Sequence, residues 1–271
     1  SQGFNTYNNP TLSYSYVSKI YDSIDGGVII CDTPFNKVTT LNLTDCSFNG
    51  NSASSGGVIA IHNSIANIQN CVFYNSSAQR FGGAIYSIGS KLNIYDSSFD
   101  TNYAKYGGVI YANDTTLNIK NSQFTKSQAF SFGGAIASFS SQLDLNHAVF
   151  EDYASLNDAG GAIYAIGGTL KAVYSSFKNG YSDFGGAICN LKTVSTISDS
   201  EFTNNHATYY GGSIYNMYGS MILTRNVFNK THADSGGSIF DRLTDSFTLS
   251  NNRFTDSTAN EGQIVYVDGK K

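Results

Sequence analysis

Apolar residues recur along this chain in two patterns, and both are typical of short β-strands. An apolar residue usually stands five and seven positions before a regularly spaced phenylalanine, as Leu92 and Ile94 do before Phe99. This alternation with a period of two predicts a strand with one buried face. A second strand is predicted after each pair of glycines, where one position is always isoleucine. These isoleucines are Ile29, Ile59, Ile85, Ile110, Ile136, Ile163, Ile188, Ile214 and Ile239.

The glycine pairs divide the chain into an internal repeat. They begin at residues 26, 56, 82, 107, 133, 160, 185, 211 and 236, and a degenerate copy, Gly262-Gln263, follows. Apart from the first interval, successive pairs are 25 to 27 residues apart. A unit with two or three short strands cannot bury its apolar face alone, so successive units must stack. We therefore predict an all-β fold, a right-handed, single-stranded parallel β-helix of the pectate-lyase type. It would have about ten coils of about 26 residues, with glycine at the corners because glycine adopts positive φ freely.

The repeat also suggests how the chain is divided. Residues 26–271 are predicted to form the β-helix, and residues 1–25 an N-terminal cap or incomplete first coils. The chain begins at Ser1 without a methionine or a cleavable apolar segment, so we expect a mature or excised piece whose coils can continue beyond it.

Two short motifs alternate through the repeat and resemble those of a known family. Phe-x-x-Asn occurs at 48–51, 99–102 and 202–205, and Gly-Gly-Ala-Ile at 82–85, 133–136, 160–163 and 185–188. Together they resemble the polymorphic membrane protein repeat, over residues 26 to 267. That resemblance implies a secreted or surface-displayed β-helical passenger domain, and many such domains are adhesins. The asparagine position departs from the motif in six coils, where it is Ser76, Ser127, Tyr153, Gly180, Thr231 or Ser257.

Charge and hydropathy exclude several partners. Only 13% of the residues are charged, the formal net charge is −4, and the 16 lysines and arginines are scattered singly. No basic stripe is therefore available for nucleic acid. No apolar run approaches the roughly 18–20 residues that a transmembrane helix needs. We expect a secreted or cell-surface protein without a cofactor.

The tyrosine column is the strongest candidate for a binding surface. Tyr86, Tyr111, Tyr164 and Tyr215 each stand four residues after the first glycine of a pair, so stacked coils would align them. Tyrosine combines an apolar ring with a hydroxyl and is enriched at recognition surfaces. We predict that this column binds a glycan or a protein on a cell or matrix surface. An alternative is that the rings shield the backbone of the glycine corner.

Cysteines and glycosylation sequons leave alternatives open. Cys46 and Cys71 would lie on adjacent coils, about 4.8 Å apart at Cα, which a disulfide permits. In-register stacking holds their Cβ atoms too far apart for a relaxed bridge, so two buried thiols are favoured. Asn-x-Ser/Thr sequons permit glycosylation without arguing for it. They lie at Asn42, Asn75, Asn113 and Asn229.

Two small clusters of polar residues are candidates for metal binding or catalysis. His206 and His232 share a register near Asp234, but without a third fixed ligand a solvated turn is favoured over zinc. Asp241 and Asp245, flanking Arg242, are the one acid–base cluster worth an assay as a polysaccharide lyase or glycoside hydrolase. Coil length hardly varies, which leaves no room for a walled cleft. We therefore expect a non-catalytic adhesin or structural rod. The alternatives are a carbohydrate-active enzyme and a protein that assembles end to end.

Overall fold

The protein is a parallel β-solenoid. The computed structural model describes the backbone of residues 4–5, 11–13, 16–18, 25–32 and 38–269, and the side chains of the last two ranges. All regular secondary structure in these ranges is β-strand, and paired strands run parallel. The strands wind about nine coils of about 26 residues. The all-β prediction is confirmed, with about one coil fewer than expected because Gly262 is followed by a single strand, Val265–Asp268.

The N-terminal cap predicted for residues 1–25 falls largely outside the described residues. Three short strands are described there: Phe4–Asn5, Thr11–Ser13 and Tyr16–Ser18. Each pairs in parallel with the matching strand of the next coil.

A typical coil has four strands, more than the two or three expected, and the stacked strands of successive coils form four walls. One coil consists of Ile85–Ile88, Lys91–Tyr95, Ser98–Asp100 and Tyr103–Tyr106. We name the walls by their typical inward residue: the isoleucine, leucine, phenylalanine and alanine walls. The alanine wall was missed because its strands bury only one or two small side chains each, such as Ala104 and Ser182, and show no apolar alternation.

The isoleucine and leucine walls form one sheet of 19 strands. They are continuous because two strands, Ile136–Asn146 and Ile163–Val173, run through the corner between them. Besides these and the strands already named, the isoleucine wall has Ile29–Asp32, Ile59–His62, Ile110–Asn113, Ile188–Leu191, Ile214–Met217 and Ile239–Arg242. The leucine wall has Thr40–Thr44, Ile65–Gln69, Thr116–Lys120, Val194–Ser198, Ser220–Thr224 and Ser246–Ser250.

The other two walls are separate sheets of ten and seven strands. The phenylalanine wall also has Ser47–Asn49, Val72–Tyr74, Gln123–Thr125, Val149–Glu151, Ser176–Lys178, Glu201–Thr203, Val227–Asn229 and Arg253–Thr255. The alanine wall also has Ser52–Ser55, Ser77–Phe81, Gln128–Phe132, Ala154–Ser155, Tyr181–Phe184 and His206–Tyr210.

Like residues stack in register along the solenoid. Ile85 pairs with Ile110 across coils, and Phe99 pairs with Phe124. The same alignment joins all nine isoleucines that follow the glycine pairs. The columns inferred from the repeat are therefore real, and a residue's neighbours lie about 26 positions away in sequence.

Four residues with positive φ turn the chain in most coils, one at each corner. In one coil they are Gly82, Gly89, Asp96 and Thr101, with φ of 61°, 58°, 49° and 57°. Glycine was expected at the corners, but it is regular only at the first. The other corners mostly use non-glycine residues at φ between 47° and 58°. Asparagine and aspartate are frequent among them, because their short polar side chains tolerate the left-handed region.

The glycine pair is required for two different reasons. The first glycine of each pair has positive φ, and a Cβ on Gly82 would strike the carbonyl oxygen of Ile85. The second glycine carries no such φ, but a Cβ on Gly83 would strike the carbonyl oxygen of Gly108 in the next coil. Stacking of the corner on itself therefore excludes every side chain at this position.

Small polar residues just after the corners link one coil to the next. The backbone N–H of Ser97 donates to the Ser122 hydroxyl at 3.1 Å, and the Ser97 hydroxyl donates to the Tyr95 carbonyl at 2.7 Å. Asn102 explains the asparagine of the Phe-x-x-Asn motif, since its amide donates to the Phe73 carbonyl at 3.1 Å. Each such side chain satisfies backbone groups that the corner would otherwise bury without partners.

A stack of phenylalanine rings fills the centre of the solenoid. Neighbouring rings from Phe48 to Phe254 lie 4.7–5.0 Å apart and within 22° of parallel. The spacing follows from the separation of hydrogen-bonded strands, about 4.8 Å. Inward residues of the isoleucine and leucine walls pack around this stack in one continuous core.

Replacing one ring of the stack should destabilise the whole solenoid. Phe150→Ala removes a fully buried ring with a neighbour on each side, so we expect the free energy of unfolding to fall by about 3–5 kcal/mol. The matched control is Phe130→Ala, whose ring is 47% exposed and should cost less than about 0.5 kcal/mol. Urea unfolding followed by circular dichroism measures both, and equal losses would contradict a ring-filled core.

Tyr153 replaces the motif's asparagine by spanning two coils. Its buried hydroxyl donates to Oδ1 of Asn205 at 2.8 Å, passing over Gly180, where a Cβ would collide with the tyrosine ring. Burial raises the pKa of the Tyr153 phenol well above its usual value, so the hydroxyl stays a donor. The two departures from the motif, at 153 and 180, are thus one packing arrangement.

Removing that hydroxyl should be measurable. Tyr153→Phe loses one buried hydrogen bond, so we expect a loss of about 1 kcal/mol in the free energy of unfolding. Tyr95→Phe, on the exposed side of the leucine wall, is the control and should be neutral. A loss no larger than the control's would mean that the Asn205 contact contributes nothing to stability.

Candidate functional site

Aromatic side chains form a band on the outside of the isoleucine wall. Along Ile85–Ile88, Ile85 and Ser87 face the core, so Tyr86 faces outward. The outward position reads Tyr86, Tyr111, Ala137, Tyr164, Cys189, Tyr215, Phe240 and Tyr266 from coil to coil. The position just before the glycine pair reads Phe81, Tyr106, Phe132, Ala159, Phe184 and Tyr210. We call these two columns together the outer aromatic strip.

The two columns pack on each other across the glycine corner. A ring before one glycine pair contacts the tyrosine position of the following coil, with centroids 4.6 Å apart for Phe81–Tyr111 and 4.5 Å for Phe132–Tyr164. The pair formed by Tyr210 and Phe240 repeats this at 4.5 Å. The strip therefore lies over the glycine corner, the geometry required by the shielding alternative. It also presents rings outward, as a binding surface requires.

Exposure falls along the strip. Tyr86 and Tyr111 are half-buried, whereas Tyr164 is 6% exposed and Tyr215 is 7% exposed. Around Tyr164 and Tyr215, the residues two positions further on along the isoleucine-wall strands are Phe139, Ile166, Leu191 and Met217. These side chains pack against the rings as a second apolar cluster outside the core. The four predicted tyrosines thus share one strip, but only the first two present substantial ring surface.

The tyrosine hydroxyls remain protonated. Burial raises the pKa of Tyr86 and Tyr111, and it raises the pKa of Tyr215 to about 12. The Tyr215 hydroxyl donates to Sδ of Met217 at 2.9 Å. At neutral pH these groups can donate hydrogen bonds to a ligand, but they cannot serve as bases.

The strip is interrupted at Ala137 and at Cys189, with different results. At Ala137 the ring of Phe139 fills the gap, 5.2 Å from Tyr111 and 5.8 Å from Tyr164. At Cys189 no ring fills it, and a pocket of about 230 Å³ opens. It is lined by Phe132, Asp158, Ala159, Tyr164, Phe184, Cys189, Leu191, Tyr215 and Met217.

Sequence reasoning missed this pocket. Its signal is the loss of both members of one ring pair, because Ala159 and Cys189 occupy the positions that Phe132 and Tyr164 hold one coil earlier. Each position was read within its own column. In the structure, the residue before a glycine pair packs on the tyrosine position of the following coil. This contact shows that Ala159 and Cys189 face the same space.

The proposed acid–base cluster does not assemble. Asp241 points into the core, where its carboxylate accepts from the Asn216 amide at 2.7 Å and the Thr244 hydroxyl at 2.7 Å. Burial raises the pKa of Asp241. Arg242 points outward and pairs with Asp268 at 3.1 Å, while Asp245 is exposed. The two carboxylates that a glycosidase would need therefore lie on opposite sides of the wall.

The histidines form a stack on the outside of the alanine wall. His206 and His232 lie 5.0 Å apart and within 9° of parallel, and Nδ1 of His232 is 2.7 Å from the Thr258 hydroxyl. Burial, and then the charge of His232, lower the pKa of His206. Asp234 instead accepts from the Asn260 amide at 3.2 Å. Among the described residues no group of three His, Cys, Asp or Glu side chains is placed to hold a metal ion.

An asparagine ladder runs along the outside of the leucine wall. The amides of Asn67, Asn93 and Asn118 each donate to Oδ1 of the asparagine one coil earlier, at 2.8 Å. In the next two coils the same position holds Asp144 and Lys171, which form an ion pair at 3.3 Å. It links coils on the face that adjoins the outer aromatic strip.

The four cysteines are buried thiols, the arrangement favoured for Cys46 and Cys71. These two take the corner position that serine fills in later coils: the Cys46 N–H donates to Sγ of Cys71 at 3.4 Å, and the Cys71 thiol donates to the Gln69 carbonyl at 3.2 Å. Burial raises the pKa of the Cys71 thiol to about 12, so it stays protonated and unreactive.

Thiol titration should show this state directly. A thiol-reactive chromophore should label none of the four cysteines in the folded protein, because all four are buried. It should label all four after denaturation without reductant. Labelling of only two in denaturant, rising to four with reductant, would instead establish a disulfide between Cys46 and Cys71.

Comparison with known proteins agrees with the fold. The Chlamydia polymorphic membrane protein repeat matches residues 45–62 and 199–217. Each match runs from the corner before a motif phenylalanine, through the glycine pair, to the end of the following isoleucine-wall strand. The resemblance seen in the motifs is thereby confirmed: this is a parallel β-helix that carries the polymorphic membrane protein repeat.

Other comparisons gave no relatives. No curated protein and no solved structure matches the chain significantly. Within the part of the chain that the structure describes, no helix is long and apolar enough to cross a membrane.

Proposed function

We propose that this protein is a non-catalytic β-helix displayed on a surface or secreted, and that it works as an adhesin. The observation that carries the proposal is the outer aromatic strip, a band of rings along one wall of a rigid scaffold. Its partner would be a glycan or a protein on a cell or matrix surface. The strip faces outward although the core is already filled by its own phenylalanine stack.

Two further observations support this proposal. Polymorphic membrane proteins are surface-exposed outer-membrane proteins in Chlamydia, and their repeat is not known as enzymatic. The strip also combines apolar ring faces with protonated hydroxyls, the pairing that lets tyrosine bind sugars and proteins without a charged partner. Tyr86 and Tyr111 contribute most of its accessible ring surface among the four predicted tyrosines.

End-to-end association is a second proposal with a separate observation. Phe247 and Phe254 in the last complete coil are only partly buried, whereas Met221 and Phe228, which occupy the same positions one coil earlier, are fully buried. A further coil stacked on this end would cover them and pair the exposed strand edges. Mass measurement over a range of concentrations tests association between molecules, and a strict monomer throughout would contradict it.

Truncating the accessible tyrosines should weaken adhesion. Tyr86→Ala combined with Tyr111→Ala should reduce binding to cultured animal cells and to an array of immobilised glycans at least tenfold, as losing an interface hot spot does. Tyr164 and Tyr215 are unsuitable for this test because they are buried, and truncating them would cost stability.

The control for adhesion is Tyr95→Ala, an exposed tyrosine on the leucine wall. It should bind like the unmodified protein, and circular dichroism should show that every variant is folded. Equal binding by the double variant and the control would remove the strip from the interface. Release of reducing or unsaturated sugars from an acidic polysaccharide would favour the carbohydrate-active alternative instead.

A further inference from the structure

The pocket at Cys189 lies where both members of a ring pair in the outer aromatic strip are replaced by small residues. In neighbouring coils a ring before the glycine pair packs on a ring of the next coil, as Phe132 does on Tyr164. Ala159 and Cys189 hold these two positions in the next step of the strip, and together they leave the pocket of about 230 Å³. The space is therefore built by substitution within the repeat, and the flanking coils keep its walls in place.

Four aromatic rings surround the pocket. Phe132 and Tyr164 stack on one side with centroids 4.5 Å apart, and Phe184 and Tyr215 lie on the other at 5.7 Å. Leu191 and Met217 close it with aliphatic surface. The rings are held by their own neighbours, so the pocket is preformed. Its volume is below the roughly 300–1,000 Å³ of pockets for drug-sized ligands, which restricts it to a headgroup or a single side chain.

The charge at the pocket is negative. Asp158 is the only charged residue among those that line it. Its negative charge, after burial, raises the pKa of both Tyr164 and Cys189, so the carboxylate lies near both pocket walls. Burial, and then the charge of the nearby Asp183 carboxylate, raise the pKa of the Asp158 carboxyl. Arg242, whose charge acts on Tyr215, is paired with Asp268 at 3.1 Å.

We propose that this pocket binds a trimethylammonium group of the choline type. Ring faces attract a cation through their negative quadrupole, and a cage of several rings is the arrangement that recognises quaternary ammonium ligands. The methyl groups would contact the rings and the side chains of Leu191 and Met217, while Asp158 supplies the countercharge. A neutral sugar would leave its hydroxyls unpaired against this apolar lining.

The ligand's chemistry also explains why the pocket is lined as it is. A quaternary ammonium ion needs no hydrogen-bond acceptor, and the pocket offers apolar surface rather than a set of directed polar groups. A primary ammonium would find a single carboxylate, that of Asp158, among the lining residues for its three donors. The inference extends the proposed adhesive function, because the pocket lies within the same strip, but it does not depend on Tyr86 or Tyr111.

Titration with choline tests the proposal on the intact chain. The methyl resonance of choline should broaden and shift upfield on binding, because ring currents act on protons above aromatic faces. The neutral isostere 3,3-dimethylbutan-1-ol has the same shape without the charge, so it should bind at least tenfold more weakly. Equal binding of the two compounds, or no binding of choline at millimolar concentration to the folded protein, would overturn the proposal.

Two variants localise the site. Cys189→Tyr restores the residue type that five other coils carry at this position, so it should fill the pocket and abolish choline binding without loss of thermal stability. Asp158→Asn should weaken choline binding severalfold and leave binding of the neutral isostere unchanged. The control Asp256→Asn, at a distant corner, should change neither. Undiminished choline binding by folded Cys189→Tyr would place the cation elsewhere and refute the assignment.

Phosphorylcholine separates the two sources of this group. Binding of phosphorylcholine at least as tight as that of choline supports recognition of a headgroup on a lipid or glycan. Binding of choline alone supports the free cation. Because these measurements involve no cell, they can fail while adhesion through Tyr86 and Tyr111 persists, and adhesion can fail while choline binds.

Discussion

Hydrogen bonding between coils in strict register is the constraint from which the other features of this protein follow. Each coil donates to and accepts from its neighbours along all four walls, as the in-register pairs Ile85–Ile110 and Phe99–Phe124 show. The stacking distance is then fixed near the separation of paired strands. Any residue must fit against a similar residue above and below it. Phenylalanine meets this condition as a ring stack, and asparagine meets it as an amide ladder.

The corners meet the same constraint most strictly. The second glycine of each pair exists because the carbonyl of the equivalent glycine in the next coil occupies the space of a Cβ, as Gly108 does above Gly83. Where the corner is wider, the chain uses asparagine, aspartate and other residues at positive φ, followed by a small buried polar side chain. Repetition of the glycine motif thus reflects self-contact of the corner more than conformational freedom.

Accessible space on this scaffold arises where the repetition is broken. The exchange at Tyr153 and Gly180 is compensated within the core, so it leaves no accessible space. The exchange at Ala159 and Cys189 lies outside the core and is not compensated, and there the pocket forms. The comparison with Ala137, where Phe139 fills the gap, shows that a missing ring alone does not make a pocket. The pocket forms at Cys189 because its partner position is also small, at Ala159, and because the residue two positions further on is Leu191 and not a ring.

The sequence predicted the strands of the isoleucine and leucine walls, the parallel stacking and the residues that share each column, because period-two alternation and a constant repeat length leave little freedom in how coils align. It also placed Tyr86, Tyr111, Tyr164 and Tyr215 in one column. Only the tertiary structure decided how deeply each tyrosine is buried, that Asp241 faces inward, and that Ala159 and Cys189 border one space. These properties depend on contacts between different columns of adjacent coils, and no spacing within a single column encodes them.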